Sequence, residues 1–257
     1  SEALYGACRR SAPMIKQGRQ WQTVDWQTAL DYVADGLKRV IAEFGTAGVG
    51  ALASPTSTVE ELHLLAKLVR GLGSENIDHR LRRADFADAA PRGRARWLGL
   101  PIAELNQLDR VLVVGSFLRK DHPLMAQRIR QAARHGAQVH SLHALAGDWA
   151  MPMAPGIVAA PSDWAAELAG IASAVAASKG VTAPEPAEPG AHAGVIAASL
   201  LSGERVAVLL GNAALQHPQA SRLRTLAAWI AEHTGASIGE FGEGGNAVGA
   251  QLVGALP

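Results

Sequence analysis

Two stretches of this 257-residue chain place a glycine at the end of an apolar run, an arrangement that can turn backbone amides toward an anion. They are GSFLRKDHP, from Gly115 to Pro123, and GNAALQHPQ, from Gly211 to Gln219. Both follow a buried-type strand and carry a His-Pro pair before a helical pattern. A dinucleotide loop needs GxGxxG, because its second glycine lets a pyrophosphate approach the backbone. Here Gly115 is followed by Ser116 and the bulky Phe117, and no GxxxxGK[ST] phosphate loop occurs anywhere in the chain.

Other clusters have simpler explanations. His135, His140, His143 and Asp148 could be metal ligands, but on a strand over 137–142 their side chains do not converge without a bend. Solvated or singly hydrogen-bonded histidines are the expectation. Glu60 and Glu61 resemble an acid/base pair, yet Ser57 three residues before Glu60 and Thr58 three before Glu61 form two overlapping capping-box registers. Ser54, Ser57, Ser116 and Ser141 have no His-Asp pattern beside them. Six arginines, Arg80, Arg82, Arg83, Arg92, Arg94 and Arg96, stand against Asp85 and Asp88. With few aromatics and no recognition module, they are expected to dock on an acidic neighbour or on the protein's own subunit, not on nucleic acid. GEFGEGGNAVGA, residues 239–250, lacks a following Lys or Thr and is expected to be a backbone-tight loop rather than a phosphate cradle.

The elements that position these residues follow from hydropathy. Val111 to Val114 suits a strand covered on both faces, Asp121 or His122 can cap a helix with Pro123 in its first turn, and Gly136 ends that helix before a strand over 137–142. The result is a βαβ unit. Upstream, apolar side chains at 26, 29, 30, 33, 37, 40, 41 and 44 mark one helical face, with Asp25 as cap and Gly45 as stop. Residues 49–53 read as a strand, and Leu62, Leu65, Ala66, Val69 and Leu72 as the buried stripe of the next helix. Ser162 is expected to cap a helix that turns Trp164, Leu168, Ile171 and Val175 inward. The prolines of 180–192 predict a loop. A short helix over 193–201, a second buried strand in RVAVLLG and a helix that starts with Pro218 after His217 complete the pattern. The expected fold is α/β, with mostly parallel sheets flanked by helices and Rossmann-like βαβ units in two lobes, 1–150 and 151–257.

A net charge of +1 argues against a strongly basic nucleic-acid binder, and no apolar run approaches the ~20 residues that span a bilayer. Cys8, the single cysteine, excludes an internal disulfide or a multi-cysteine cluster and points to the cytoplasmic side of a membrane. The opening, SEALYGACRRSAP, has neither a signal-peptide core nor an initiator methionine, so a piece of a longer chain is expected.

Taken in order, GRQWQTVDWQTALDYVADGL, SPTSTVEELHLLAKLVRGLGSENIDHR, VLVVGSFLRKDHPLMAQRIRQAARHGAQV and GNAALQHPQASRLRTLAAWIAEHTGASIGEFGEGGNAVGA resemble the molybdopterin oxidoreductase superfamily. GSFLRKDHPL and EGGNAVGA more closely resemble the C-terminal region of the large iron-sulfur subunit of NADH-quinone oxidoreductase, the bacterial respiratory complex I. The resemblance implies a formate dehydrogenase-like fold used as a scaffold without the molybdopterin guanine dinucleotide. Active relatives typically carry an asparagine where Phe117 stands. They also end the next strand in Asp-Pro-Arg, whose aspartate serves the guanosine end of the cofactor, whereas VHSLHALAGD has no such tripeptide.

Gly115, Ser116, Gly211 and Asn212 are accordingly expected as vestiges, with no catalytic or metal-binding residue in the chain. The iron-sulfur clusters would lie in an N-terminal portion not present in this sequence. Partners would be the rest of the subunit and other peripheral-arm subunits, with no membrane insertion and no nucleic acid. Two other functions fit the same residues: the dinucleotide-binding portion of an active oxidoreductase, and a stand-alone nucleotide-binding module.

Overall fold

A computed structural model describes residue 6 and residues 10–87 and 94–257. Its centre is a five-stranded parallel sheet, in which VLVV and VAVLL are continuous apolar runs. The strands are β5 (Arg110–Val114), β6 (Gln138–His143), β7 (Ile157–Val158), β8 (Val206–Leu210) and β9 (Ser237–Glu240), in the order β7-β6-β5-β8-β9. Val114 pairs with both Leu142 and Leu210, so the two glycine-ended strands, β5 and β8, are neighbours in register. Before the sheet come a hairpin, β1 (Met14–Gln17) and β2 (Gln20–Thr23), and a small parallel pair, β3 (Ala51–Leu52) and β4 (Ile77–Asp78).

Alternation along each strand decides which helices cover which face. Leu112, Val114, Val206, Val208 and Leu210 pack against α5 (Trp164–Lys179), α6 (Ala193–Leu201) and α8 (Ala220–Thr234). Val111, Val113, Val139, Ala207 and Leu209 face the other way, onto α4 (Pro123–Arg134), Leu98, Leu100 and Leu105. Two four-residue helices, α3 (Leu118–Asp121) and α7 (Asn212–Leu215), follow the two glycines. α9 (Ala247–Leu252) returns to pack on α2 (Val59–Gly71) through Leu62, Ala66, Val69 and Ala250. The α/β class with a helix-flanked parallel sheet is as the hydropathy pattern predicts.

Several local expectations change. Residue 150 lies between β6 and β7, which hydrogen-bond to each other. Ser162 caps nothing: α5 begins at Trp164 and the Ser162 hydroxyl donates to the Asp163 carboxylate. His217-Pro218 lies in a turn, and α8 starts at Ala220. Asp25 does cap α1 (Trp26–Phe44), accepting from the Thr28 amide at 2.8 Å. No side chain of α1 is buried, however, and Trp26 is 70% exposed, so its apolar face lies open. None of the described helices is long and apolar enough to cross a membrane.

His140 is buried inside β6, its Nδ1 2.8 Å from the Pro155 carbonyl. Burial, with Arg110 adding to it, lowers its pKa below the ordinary 6.5, although the Pro155 hydrogen bond opposes the shift. Burial lowers His79 and His122 in the same way. A histidine depressed in the folded state leaves stability intact above the unfolded pKa and removes it as pH falls toward the folded one. Thermal midpoints are therefore expected to fall steadily from pH 6.5 downward, and His140→Leu to flatten that slope. A slope equal to wild type in the variant would refute the assignment to His140.

Candidate functional site

The strand order reverses between β5 and β8, the place where open α/β sheets bind ligands at the carboxyl ends of their strands. Both glycine motifs arrive there. Gly115 has φ +64°, and a Cβ on it would lie 2.5 Å from the Ala214 amide nitrogen and 2.9 Å from the Trp164 ring. A Cβ on Gly211 would overlap the Ser116 side chain and stand 2.8 Å from the Gly115 carbonyl oxygen. The two loops are in backbone contact, and only a missing side chain allows it.

Three of their amides are bonded inside the chain. Gly115 N–H donates to Leu142, Gly211 N–H to Val114 and Ala213 N–H to Gly115, at 2.8–2.9 Å. Asp121, expected as a helix cap, instead turns back over the loop. Its carboxylate accepts from the Phe117 amide at 3.0 Å and the Ser116 hydroxyl at 3.2 Å, standing where an external anion would sit. Phe117 packs edge-on against Trp149 with ring centres 5.4 Å apart, and lies 6.2 Å from the His143 ring. Trp164 closes the opposite side, 1% exposed, its Nε1–H on the Ala159 carbonyl. Gly115, Ser116 and Gly211 thus meet as one cluster, and Asn212 opens α7 beside them, its side-chain oxygen buried. This edge does not fit the phosphate end of a dinucleotide.

Much of the arginine-rich stretch meets carboxylates of the chain itself, in keeping with the second of its two expected docking targets. Arg80 forms a bidentate pair with Asp78 at 2.8 and 2.9 Å. Arg224 Nε donates to Glu240 Oε1 at 2.5 Å, and Arg96 approaches the same oxygen at 3.9 Å. Asp85 clamps the start of α8, accepting from the Ser221 amide at 2.8 Å and hydroxyl at 2.5 Å. The Ser221 hydroxyl, then the Ala87 and Ser221 amides, hold the Asp85 carboxyl down to about 2. Its contribution is present above the unfolded value of 3.8 and is lost as pH falls toward 2. Asp85→Ala is expected to cost roughly 1–2 kcal/mol, read as a lowered urea midpoint. An unchanged midpoint would show that the clamp carries nothing. Asp88, Arg92 and Cys8 lie outside the described residues.

The remaining candidates stay apart. His135 Nδ1 contacts the Gln131 carbonyl at the far end of α4, and His143 Nδ1 lies 3.1 Å from the Leu145 carbonyl. Asp148 pairs with Arg119 at 2.7 Å. Among the described residues no three His, Cys, Asp or Glu side chains are placed to hold a metal ion. Of the two capping registers, Thr58 and Glu61 form the box, and Glu60 stays exposed. In the 239–250 loop, Asn246 ties back to the Pro55 and Ser57 carbonyls at 2.8 Å, as a backbone-tight loop would. Sequence reasoning missed Asp121 as a loop ligand. Its spacing of four and five residues from Phe117 and Ser116 was the available signal.

Known proteins share this architecture. The molybdopterin oxidoreductase family model matches residues 9–255. The probable oxidoreductase YjgC of Bacillus subtilis is 30% identical over 130 residues, which are 48% of this chain and 13% of that protein. The F420-dependent formate dehydrogenase subunit alpha of Methanocaldococcus jannaschii is 30% identical over 140 residues, 53% of this chain and 20% of that protein. The chain thus spans well under a third of these relatives. Acetylene hydratase from Pelobacter acetylenicus superposes with a TM-score of 0.57 at 14% identity, covering 84% of this chain and 34% of the hydratase, a likeness of fold alone. The family model covers nearly the full length: the chain belongs to the molybdopterin oxidoreductase family.

Proposed function

We propose that this chain is a structural domain of the family that works without the molybdopterin guanine dinucleotide, within the large iron-sulfur subunit of NADH-quinone oxidoreductase. There it would brace the electron-transfer arm on the cytoplasmic side of the bacterial inner membrane, packed against the rest of its subunit and neighbouring peripheral-arm subunits. It has no catalytic residue of its own. The observation that carries this reading is the occupied switch point: the Gly115, Gly211 and Ala213 amides bonded internally, the Asp121 carboxylate on the Phe117 amide, and Phe117 packed on Trp149. The open apolar stripe of α1, with Trp26, Leu30, Val33 and Phe44 all more than half exposed, supports burial against a larger assembly.

The test is elemental and mass analysis of the native complex containing the chain. Molybdenum and released guanine nucleotide near zero per chain, together with NADH:quinone activity of that complex, are the expected results. A second reading, the cofactor-binding portion of a formate dehydrogenase-like oxidoreductase, is favoured by the names of several relatives, among them a putative formate dehydrogenase of Staphylococcus haemolyticus, 28% identical over 51% of this chain and 14% of that protein. It predicts values near one per chain, which would overturn the scaffold reading.

A further inference from the structure

α1 is a 19-residue helix with no buried side chain, although its apolar residues are regularly spaced. Trp26, Leu30, Val33, Leu37, Val40 and Phe44 recur at intervals of four, three, four, three and four. That is the a/d seam of a coiled coil, narrower than the stripe by which a helix lies on a globular core. Trp26, Leu30, Val33 and Phe44 are 70, 57, 55 and 65% exposed, and Leu37 and Val40 are half-buried. The turn at 46–48 packs against the end of the helix, with Gly48 close to Val40 and Phe44. The seam leaves on the order of 600 Å² of apolar surface open, most of the ~800 Å² that each partner brings to a standard interface.

The occupant follows from the symmetry of the helix. The intervals read the same in both directions, so a second copy laid antiparallel about Asp35 sets Trp26 against Phe44, Leu30 against Val40 and Val33 against Leu37. Aromatic side chains then meet at both ends and aliphatic ones in the middle. Ala29, Ala34 and Gly36 flank the seam and are small enough for two helices to approach to about 8–10 Å. Charge agrees with this pairing. The N-terminal half carries Asp31 and Asp35, and the C-terminal half Lys38 and Arg39. The antiparallel register sets Asp31 against Arg39 and Glu43 against the neutral Gln27, whereas a parallel one sets each charge against its like. A membrane surface matches less well, because the polar face holds Asp31, Asp35 and Glu43 against only Lys38 and Arg39, and interfacial helices are rich in cations.

We infer that α1 is a two-fold interface, pairing antiparallel with α1 of a second copy of this chain. The scaffold reading requires this face to be covered without saying by what, and the pairing rests on the helix alone.

The test is sedimentation equilibrium of the whole chain. Dimer is expected to dominate at about 100 µM and monomer at about 1 µM, as for a small, transient interface. Leu30→Asp should weaken the dimer at least tenfold, because a carboxylate is then buried twice per dimer. Leu64→Asp, at a position 62% exposed on α2, should not. Orientation is read by disulfide cross-linking in a Cys8→Ser background. At about 1.5 Å per residue, antiparallel pairing holds like ends roughly 27 Å apart. Trp26→Cys chains mixed with Phe44→Cys chains should therefore cross-link to each other and not to themselves. A wild-type chain that stays monomeric at the higher concentration overturns the inference, whether or not the variants fold. So do a dimer insensitive to Leu30→Asp, cross-linked Phe44→Cys homodimers, and binding to phosphatidylserine vesicles in place of self-association. Molybdenum near one per chain in the native complex would end the scaffold reading and leave this pairing standing, while a monomer with molybdenum absent defeats the pairing alone.

Discussion

Gly211→Ala is expected to destabilise the protein by about 3 kcal/mol or more, from overpacking that the surroundings cannot relieve. The added methyl meets the Ser116 side chain and the Gly115 carbonyl, so an entire loop must move. Gly115→Ala should cost a similar amount, because strain at φ +64° adds to contacts with the Ala214 backbone and the Trp164 ring. Gly180 and Gly235 provide the comparison. They have φ +67° and +72°, with nothing within 4 Å of an added Cβ, and each should lose only about 1 kcal/mol on substitution by alanine. Urea melts of the four variants separate backbone strain from the loop contact. Equal losses in all four would mean that the glycine pair at the switch point is not closely packed.

Glu240→Ala should be the other large loss, about 3 kcal/mol. Its carboxylate is 13% exposed and lies between Arg224 and Arg96, so its removal leaves crowded guanidiniums in a poorly hydrated place. The penalty is one of unbalanced charge more than of a missing contact. Arg224→Met with Glu240→Met should accordingly be milder than the sum of the two single changes, giving a favourable coupling of at least 1 kcal/mol in a double-mutant cycle. Additive losses would show that the pair is incidental.

Much of the fold was legible because it rests on local patterns. The runs at Val111–Val114 and Val206–Leu210, the Asp25 cap, the Thr58–Glu61 box and the prolines of 180–192 each act within a few residues. The departures occurred where a local rule had a competing partner. Asp121 had a helix to cap but accepts instead from the Phe117 amide and the Ser116 hydroxyl, and the arginines expected to dock on an acidic neighbour or on another part of their own subunit meet Asp78 and Glu240 within the chain. The strands before and after residue 150 pair in one sheet, because a proline-containing connection can lead a strand back to its neighbour.

By itself, the sequence determined the kind of elements present, their order and the two glycine-ended strands, since hydrophobic periodicity and backbone sterics are properties of short segments. Only the tertiary structure decided that the two glycine loops lie against each other, that Asp121 and Phe117 close the edge where a dinucleotide would enter, and that Arg80, Arg83 and Arg96 gather around one cleft. Several of those outcomes depend on contacts between residues far apart in the chain, such as Gly211 with Ser116 and Arg96 with Glu240. Sequence spacing carries no distance information at that range, because the strand order of the sheet, not the chain order, sets who meets whom.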